Sequence, residues 1–148
     1  MTSFLYQLTF LLLLAAQALN AQTVIDWANL TDVTFEERTI EDGGGLTYNH
    51  ATFGASVIAL DSQFVQIMGY LIPIDPMGFS YVLSQNPNAS CFFCGGAGPE
   101  TVIQLKRTPS QAAKRYKIDD RRAFTGILRL YEKDIDNFTY VLDNAIEQ

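Results

Sequence analysis

The chain has 148 residues and a formal net charge of −6, with 16 acidic against 10 basic side chains. This acidic balance disfavours nucleic acid as a partner, because phosphates are bound mainly by Lys and Arg. The length is enough for one domain with its own hydrophobic core. The composition therefore predicts a single folded unit that does not bind nucleic acid.

The first 21 residues are typical of a secretory signal peptide. They contain no charged side chain, and their leucine-rich centre, Leu8–Ala16, is shorter than the about 20 apolar residues that a membrane-spanning helix needs. A small residue, Ala21, precedes Gln22 and marks the expected cleavage site. The mature chain, residues 22–148, is then one β-rich domain, exported to the periplasm or the extracellular space and not integral to a membrane after cleavage. The alternative is an uncleaved N-terminal anchor, for which the apolar run is short.

The first half of the mature chain predicts strands. Val33–Thr39 alternates apolar and polar residues, as a half-buried strand does. The strongest strand signal is Ser56–Pro73, which is interrupted by a polar turn at 61–63 and then reads as a strand buried on both faces. Gly69 within it predicts a bulge or a sharp bend, a feature of small barrels. Phe79–Ser84 follows as the partner strand of a hairpin.

The second half predicts further strands at Thr101–Leu105, Phe124–Tyr131 and Phe138–Leu142. Ser110–Tyr116 predicts a short helix with Ser110 as its N-cap. That helix lies in a stretch rich in Lys and Arg, in which we interpret Lys114-Arg115 and Arg121-Arg122 as a solvated face. About six short strands with one short helical insertion predict a mainly β fold, either a small, OB-like, partly open barrel or a sandwich.

One motif in the sequence has clear chemical potential, the loop Cys91-Phe92-Phe93-Cys94-Gly95-Gly96. Two cysteines separated by two residues can direct both sulfurs to one metal ion, and the glycine that follows lets backbone amides turn toward the thiolates, as in one knuckle of a zinc site. Zinc takes four ligands, and the chain has no further cysteine. The candidate metal ligands are therefore Cys91, Cys94, His50 and Glu100, with other carboxylates or the second chain of a homodimer as alternatives.

Two other interpretations of these cysteines stay open. An even cysteine count in an exported protein allows a local disulfide between Cys91 and Cys94, within a structural or partner-binding module. A thiol redox role needs a cysteine at the N-terminus of a helix, where the helix dipole lowers its pKa. The glycines and Pro99 that follow the pair disfavour such a helix.

The sequence contains no nucleophile elbow, P-loop or dinucleotide fingerprint, so we predict a protein that is not an enzyme. His50, the only histidine, is expected in a loop, where a hydrogen-bonding role is the alternative to metal ligation. Glu100 follows Pro99 directly and is expected either to complete a metal site or to cap a turn.

The segment Cys91–Glu100 resembles the Bacteroidetes branch of the DUF3299 family, a family of uncharacterised bacterial exported proteins. The chain departs from the family pattern at two turns, at 61–63 and at Leu130-Tyr131. Other motifs that resemble the family extend over nearly the whole mature chain: Trp27 with Leu30, Leu60-Asp61, Gly69–Pro73, Tyr81–Ser84, Gly126 with the alternation after it, and Tyr140.

The resemblance implies an extracytoplasmic role connected with metal, because some family members are encoded beside zinc-regulated transport genes. Together with the Cys loop, it predicts an exported binding protein that takes Zn²⁺ or is accessory to metal transport. The expected partners are a metal ion or a protein of a transport system. A structural or partner-binding module with a local disulfide is the alternative, and a thiol redox protein is the second alternative.

Overall fold

The computed structural model describes residues 22–40, 44–133 and 136–148, so the predicted signal peptide lies outside the described residues. No helix in the described part is long and apolar enough to cross a membrane. The strands are β1 (Thr23–Val24), β2 (Val33–Thr39), β3 (Thr47–Phe53), β4 (Phe64–Pro73), β5 (Tyr81–Ser84), β6 (Val102–Arg107), β7 (Arg121–Leu130) and β8 (Tyr140–Glu147). The α-helices are α1 (Ala55–Ile58) and α2 (Pro109–Ala112), and 3-10 helices occur at Trp27–Leu30, Asn88–Ser90, Phe92–Cys94 and Pro99–Thr101.

Five strands form a closed barrel. They follow the order β4-β5-β6-β8-β7, and β7 pairs again with β4 to complete the ring. Neighbours in the ring are antiparallel, except that β6 and β8 run parallel. This Greek-key order is that of an OB-type barrel, so the predicted mainly β, OB-like fold is confirmed. The barrel is closed rather than partly open, because β4 reaches both of its neighbours.

Strand β4 reaches both neighbours because the chain changes partner near Gly69. Residues 64–70 pair with β7, and residues 70–73 pair with β5. A Cβ atom on Gly69 would lie 2.6 Å from the carbonyl oxygen of Ser84 and 2.8 Å from Cγ of Leu83. Non-bonded atoms do not approach so closely, so only glycine permits this crossing of strands.

The barrel interior holds the main hydrophobic core. The hydroxyl of Tyr140 donates a hydrogen bond of 2.7 Å to the carbonyl of Leu30 and so ties the N-terminal 3-10 helix to the barrel. Burial, and then the charges of Glu100 and Asp32, raise the pKa of Tyr140. Other large side chains that are fully buried in this core include Tyr81, Phe124, Ile67, Leu71, Leu83, Ile103, Leu128 and Leu142.

The first part of the predicted strand Ser56–Pro73 is wrong, because residues 55–58 form helix α1. The carboxylate of Asp32 accepts hydrogen bonds from the Ser56 backbone amide at 3.3 Å and from its hydroxyl at 2.6 Å. This cap comes from a residue 24 positions earlier. A local reading of the sequence cannot detect it, and β-branched residues alone favour a strand.

Two further elements differ from the expectations. Strand β3 pairs with β2 in a separate antiparallel hairpin, although its mixed polar sequence gives no strand signal. Helix α2 begins after Thr108 rather than at Ser110, because Pro109 occupies the first helical position, where its missing N–H costs nothing.

Candidate functional site

The Cys loop, residues 85–101, connects β5 to β6 and packs on the outer side of the barrel. Strand residues alternate between the two sides, so Leu71 and Leu83 face the interior while their neighbours Ile72 and Val82 face this loop. The Cys91 side chain is fully buried among these outward residues, which makes it a packing residue of a second small core. That core also contains Val102 and the partly buried rings of Phe92 and Phe138.

The backbone turns at the cysteines through one 3-10 helix, Phe92–Cys94. The Gly95 amide donates to the Phe92 carbonyl at 3.0 Å, and the Gly96 amide donates to the Cys91 carbonyl at 3.2 Å. Gly95 itself has a φ of +73°, which glycine adopts without strain. These amides therefore bond to carbonyl oxygens of their own turn and do not point at sulfur, unlike the amides expected in a zinc knuckle.

The two thiols are free and lie in different surroundings. Cys91 is buried, whereas Cys94 is exposed and its thiol donates to the carbonyl of Asn88 at 3.0 Å. Desolvation, followed by the charge and the hydrogen bond of Cys91, raises the pKa of Cys94. A redox cysteine needs the opposite shift, toward thiolate. The two sulfurs do not lie at disulfide distance, so the structure does not contain the local disulfide.

The other two predicted metal ligands lie on different elements. His50 is in strand β3 opposite Glu36, not in a loop, and its Nδ1 atom is buried without a hydrogen-bond partner. Glu100 lies in the 3-10 helix Pro99–Thr101, and its charge contributes to the raised pKa of Tyr140. No three His, Cys, Asp or Glu side chains among the described residues are placed to hold one metal ion. The structure thus keeps Cys91 and Cys94 in one loop but does not bring His50 and Glu100 to them in one cluster.

A second candidate site is a pocket of about 270 Å³ between the β4–β5 loop, strand β6 and helix α2. We call it the basic pocket, because two of its lining side chains are cationic. Its main lining residues are Ile74, Phe79, Gln104, Lys106, Arg107 and Ala112.

Arg107 fixes the walls of the basic pocket to one another. Its guanidinium donates hydrogen bonds to the carbonyls of Phe79 at 2.6 Å, Gln111 at 2.9 Å and Lys114 at 2.7 Å. It also lies 4.9 Å from the centre of the Tyr81 ring, in a cation–π contact. One side chain therefore joins the β4–β5 loop, β6 and the segment after α2.

Arg107 is a functional candidate that the sequence does not single out from the other basic residues of its stretch. A usable signal is present, because seven of the ten basic residues lie between Lys106 and Arg122. Sequence alone does not separate the members of this stretch. Lys114 and Arg122 pair with Glu147 across the barrel surface, whereas Arg107 turns inward to backbone carbonyls.

The fold defines the class of protein: a small, mainly β protein built on a closed five-stranded OB-type barrel. No protein-family model and no curated protein matches the chain. The crystal structure of a DUF3299 family protein from Pseudomonas aeruginosa PAO1 is similar at 13% sequence identity and a TM-score of 0.48, over 86% of this chain and 97% of that chain. Its family name is the one that the sequence resemblance gives, and the Bacteroidetes branch stays a prediction.

Proposed function

We propose that the protein is an exported, non-enzymatic binding protein whose ligand occupies the basic pocket. The observation that carries the proposal is the position of this pocket on the barrel. OB-type barrels bind ligands on the face of their second and third strands and with the loop between the first and second. In this chain those elements are β5, β6 and the β4–β5 loop, and residues of all three line the pocket.

The Cys loop limits where on this face a ligand can bind. Cys91 packs over Val82 of β5 and Val102 of β6, so the chain itself covers that part of the outer surface. The basic pocket lies at the uncovered end of β6, and the hydrogen bonds of Arg107 keep its walls together. A pocket that is formed before binding loses little conformational entropy when a ligand enters.

Two tryptophan variants test this proposal. Ala112→Trp adds an indole to the pocket lining, and Ala113→Trp adds the same surface at the next exposed residue, which does not line the pocket. The purified ¹⁵N-labelled protein is titrated with benzoate, phenyl phosphate, benzyl alcohol and benzylamine. We expect at least one probe to shift the backbone amide signals of Ser80 and Leu105 in the wild type and in Ala113→Trp, but not in Ala112→Trp. The proposal is wrong if no probe shifts these signals, or if Ala112→Trp binds like the wild type.

Metal binding at the Cys loop is a second candidate function, favoured by the proximity of two free thiols. The two cysteines are joined by a single 3-10 turn, Phe92–Cys94, and the charge of Cys91 contributes to raising the pKa of Cys94, so the two side chains are close enough to interact. The described residues of one chain add no third ligand to form a cluster. A Zn²⁺ ion would therefore take its remaining ligands from a second copy of the chain or from a transport-system protein.

The metal candidate is tested by zinc content under reducing conditions. We compare the wild type with Cys94→Ser and with the double variant Cys91→Ser/Cys94→Ser, and we measure the mass of the zinc-loaded species by sedimentation. About one zinc per two chains in a dimer is expected for a site of four cysteines. Zinc no higher in the wild type than in folded Cys94→Ser would rule out a site shared by two copies of the chain.

A further inference from the structure

We infer that the ligand of the basic pocket is a small organic anion, with a carboxylate or phosphate group attached to a flat apolar group. This inference rests on the proposed function and adds the chemical class of the ligand. Three features of the pocket support it: the local excess of positive charge, the hydrogen bonds of Arg107, and the exposed apolar lining.

Positive charge is concentrated around the basic pocket although the chain is acidic. Residues 106–122 carry seven Lys or Arg and two Asp, a net charge of +5, whereas the whole chain has −6. Lys114 and Arg122 pair with Glu147, which offsets part of this charge, whereas Lys106 and Arg107 of the pocket lining pair with no acid of the described residues. The rest of the chain is therefore strongly negative and repels anions. An anion that approaches the protein is directed toward the 106–122 segment, because a concave surface lined by one sign of charge concentrates the opposite ion.

The charge of Arg107 is hydrogen-bonded but not neutralised. Its acceptors are backbone carbonyls, which satisfy the N–H groups and carry no net charge. Within the described part of the chain, no carboxylate lies within ion-pair distance of Arg107 or of Lys106. A partly buried guanidinium is stabilised by a nearby anion, and a ligand carboxylate or phosphate would supply that charge.

Asp75, the acidic residue of the β4–β5 loop, does not supply the anion that would stabilise Arg107. Asp75 accepts hydrogen bonds from the amides of Met77, Phe79 and Ser80. These bonds, that of Ser80 first, lower the pKa of Asp75 and direct its charge to the backbone of its own loop. The guanidinium of Arg115 lies 3.7 Å from the centre of the Phe79 ring and adds a further cation at the same loop.

The pocket also offers apolar surface beside these cations. Phe79 is 50% exposed and Ile74 is 37% exposed, although both are large hydrophobic residues. A half-exposed aromatic ring can stack on a flat ligand, and burying apolar surface is favourable. A bare inorganic anion would leave this surface in water, so the lining favours an anion that carries an apolar group.

The four probes named above test the inference, because they share a phenyl ring and differ in charge. We expect benzoate or phenyl phosphate to bind about tenfold more tightly than benzyl alcohol, and benzylamine to bind most weakly. Lys106→Gln should weaken anion binding about fivefold and leave the alcohol unchanged. The matched control is Lys117→Gln, which removes a charge from the same segment outside the pocket lining and should change affinity less than about twofold.

The outcomes separate this inference from the proposed function. If benzyl alcohol or benzylamine binds the pocket as tightly as the anions, the inference is wrong and the proposed function stands. If no probe binds, the proposed function fails, and the inference fails with it. The ratio of benzoate to phenyl phosphate affinity distinguishes carboxylate from phosphate ligands. Binding to phosphatidylglycerol vesicles without binding of either soluble anion would overturn the inference in favour of a membrane surface.

Discussion

Replacing Cys91 by serine tests whether this cysteine fastens the Cys loop to the barrel. Its side chain is 0% exposed, and its packing neighbours Ile72, Val82 and Val102 have no polar side-chain atoms. A serine hydroxyl at this position would be buried without a partner on these neighbours. Such a group costs about 1–3 kcal/mol of folding free energy.

The loss is large enough to measure by urea unfolding. With a urea m-value of about 2 kcal/mol/M, a loss of about 2 kcal/mol lowers the unfolding midpoint by about 1 M. The experiment is done with a reductant and a metal chelator, so that neither a disulfide nor zinc contributes. Cys91→Ala, which removes sulfur without burying a hydroxyl, should cost less than Cys91→Ser.

Cys94→Ser is the matched control because Cys94 is exposed, and a serine hydroxyl can donate to the same Asn88 carbonyl. We expect a change below about 0.5 kcal/mol, as for most surface substitutions. The reasoning is refuted if the two serine variants lower the midpoint equally, or if Cys91→Ser is as stable as the wild type. Equal losses would mean that Cys91 and Cys94 do not differ in packing, and an unchanged Cys91→Ser would mean that Cys91 does not contribute to packing.

Three further predictions concern the barrel and the basic pocket. Gly69→Ala should cost about 1–3 kcal/mol in urea unfolding, because its new methyl group would collide with the Ser84 carbonyl; a neutral result contradicts the close crossing. Burial, and then the hydrogen bond and charge of Glu147, raise the pKa of Tyr116 to about 12. Folding therefore favours the protonated phenol, and its contribution to the free energy of unfolding is complete below about pH 10 and is lost as the pH rises toward 12. Urea unfolding midpoints measured across this range should fall, and they should fall less in Tyr116→Phe. Arg107→Met should lower stability by about 1 kcal/mol or more, since the partly buried carbonyl of Gln111 and the exposed carbonyl of Lys114 lose their donor; an unchanged midpoint in thermal unfolding followed by circular dichroism would contradict this.

The fold class follows from the sequence because its main signal is local. Ser56–Pro73 combines β-branched residues with a central glycine, and the part from Phe64 onward is strand β4, with its close approach at Gly69. The strand Val33–Thr39 is found within the bounds expected from its alternation. The two signals, the run of β-branched residues and the alternation of Val33–Thr39, depend only on neighbouring residues, which is the information that a periodicity pattern contains.

The parts that sequence reasoning misses depend on distant residues. Helix α1 is capped by Asp32, and strand β3 exists because it pairs with β2, so neither has a strong signal of its own. The basic pocket is a product of tertiary structure as well, since Arg107 acquires its role only when the β4–β5 loop folds back to present the Phe79 carbonyl. The Cys motif shows the converse: its spacing suggests two equivalent ligands, whereas packing makes Cys91 and Cys94 different.

The position of strand β8 in the barrel has a consequence for folding kinetics. This strand comes last among the described elements, yet it lies between β6 and β7 and joins them. The ring therefore cannot close during synthesis until residues 140–147 have emerged. Pairings between distant segments form slowly, because the chain must lose loop entropy before they contribute. A chain built in this way stays open for longer, which suits the passage across a membrane that its first 21 residues predict.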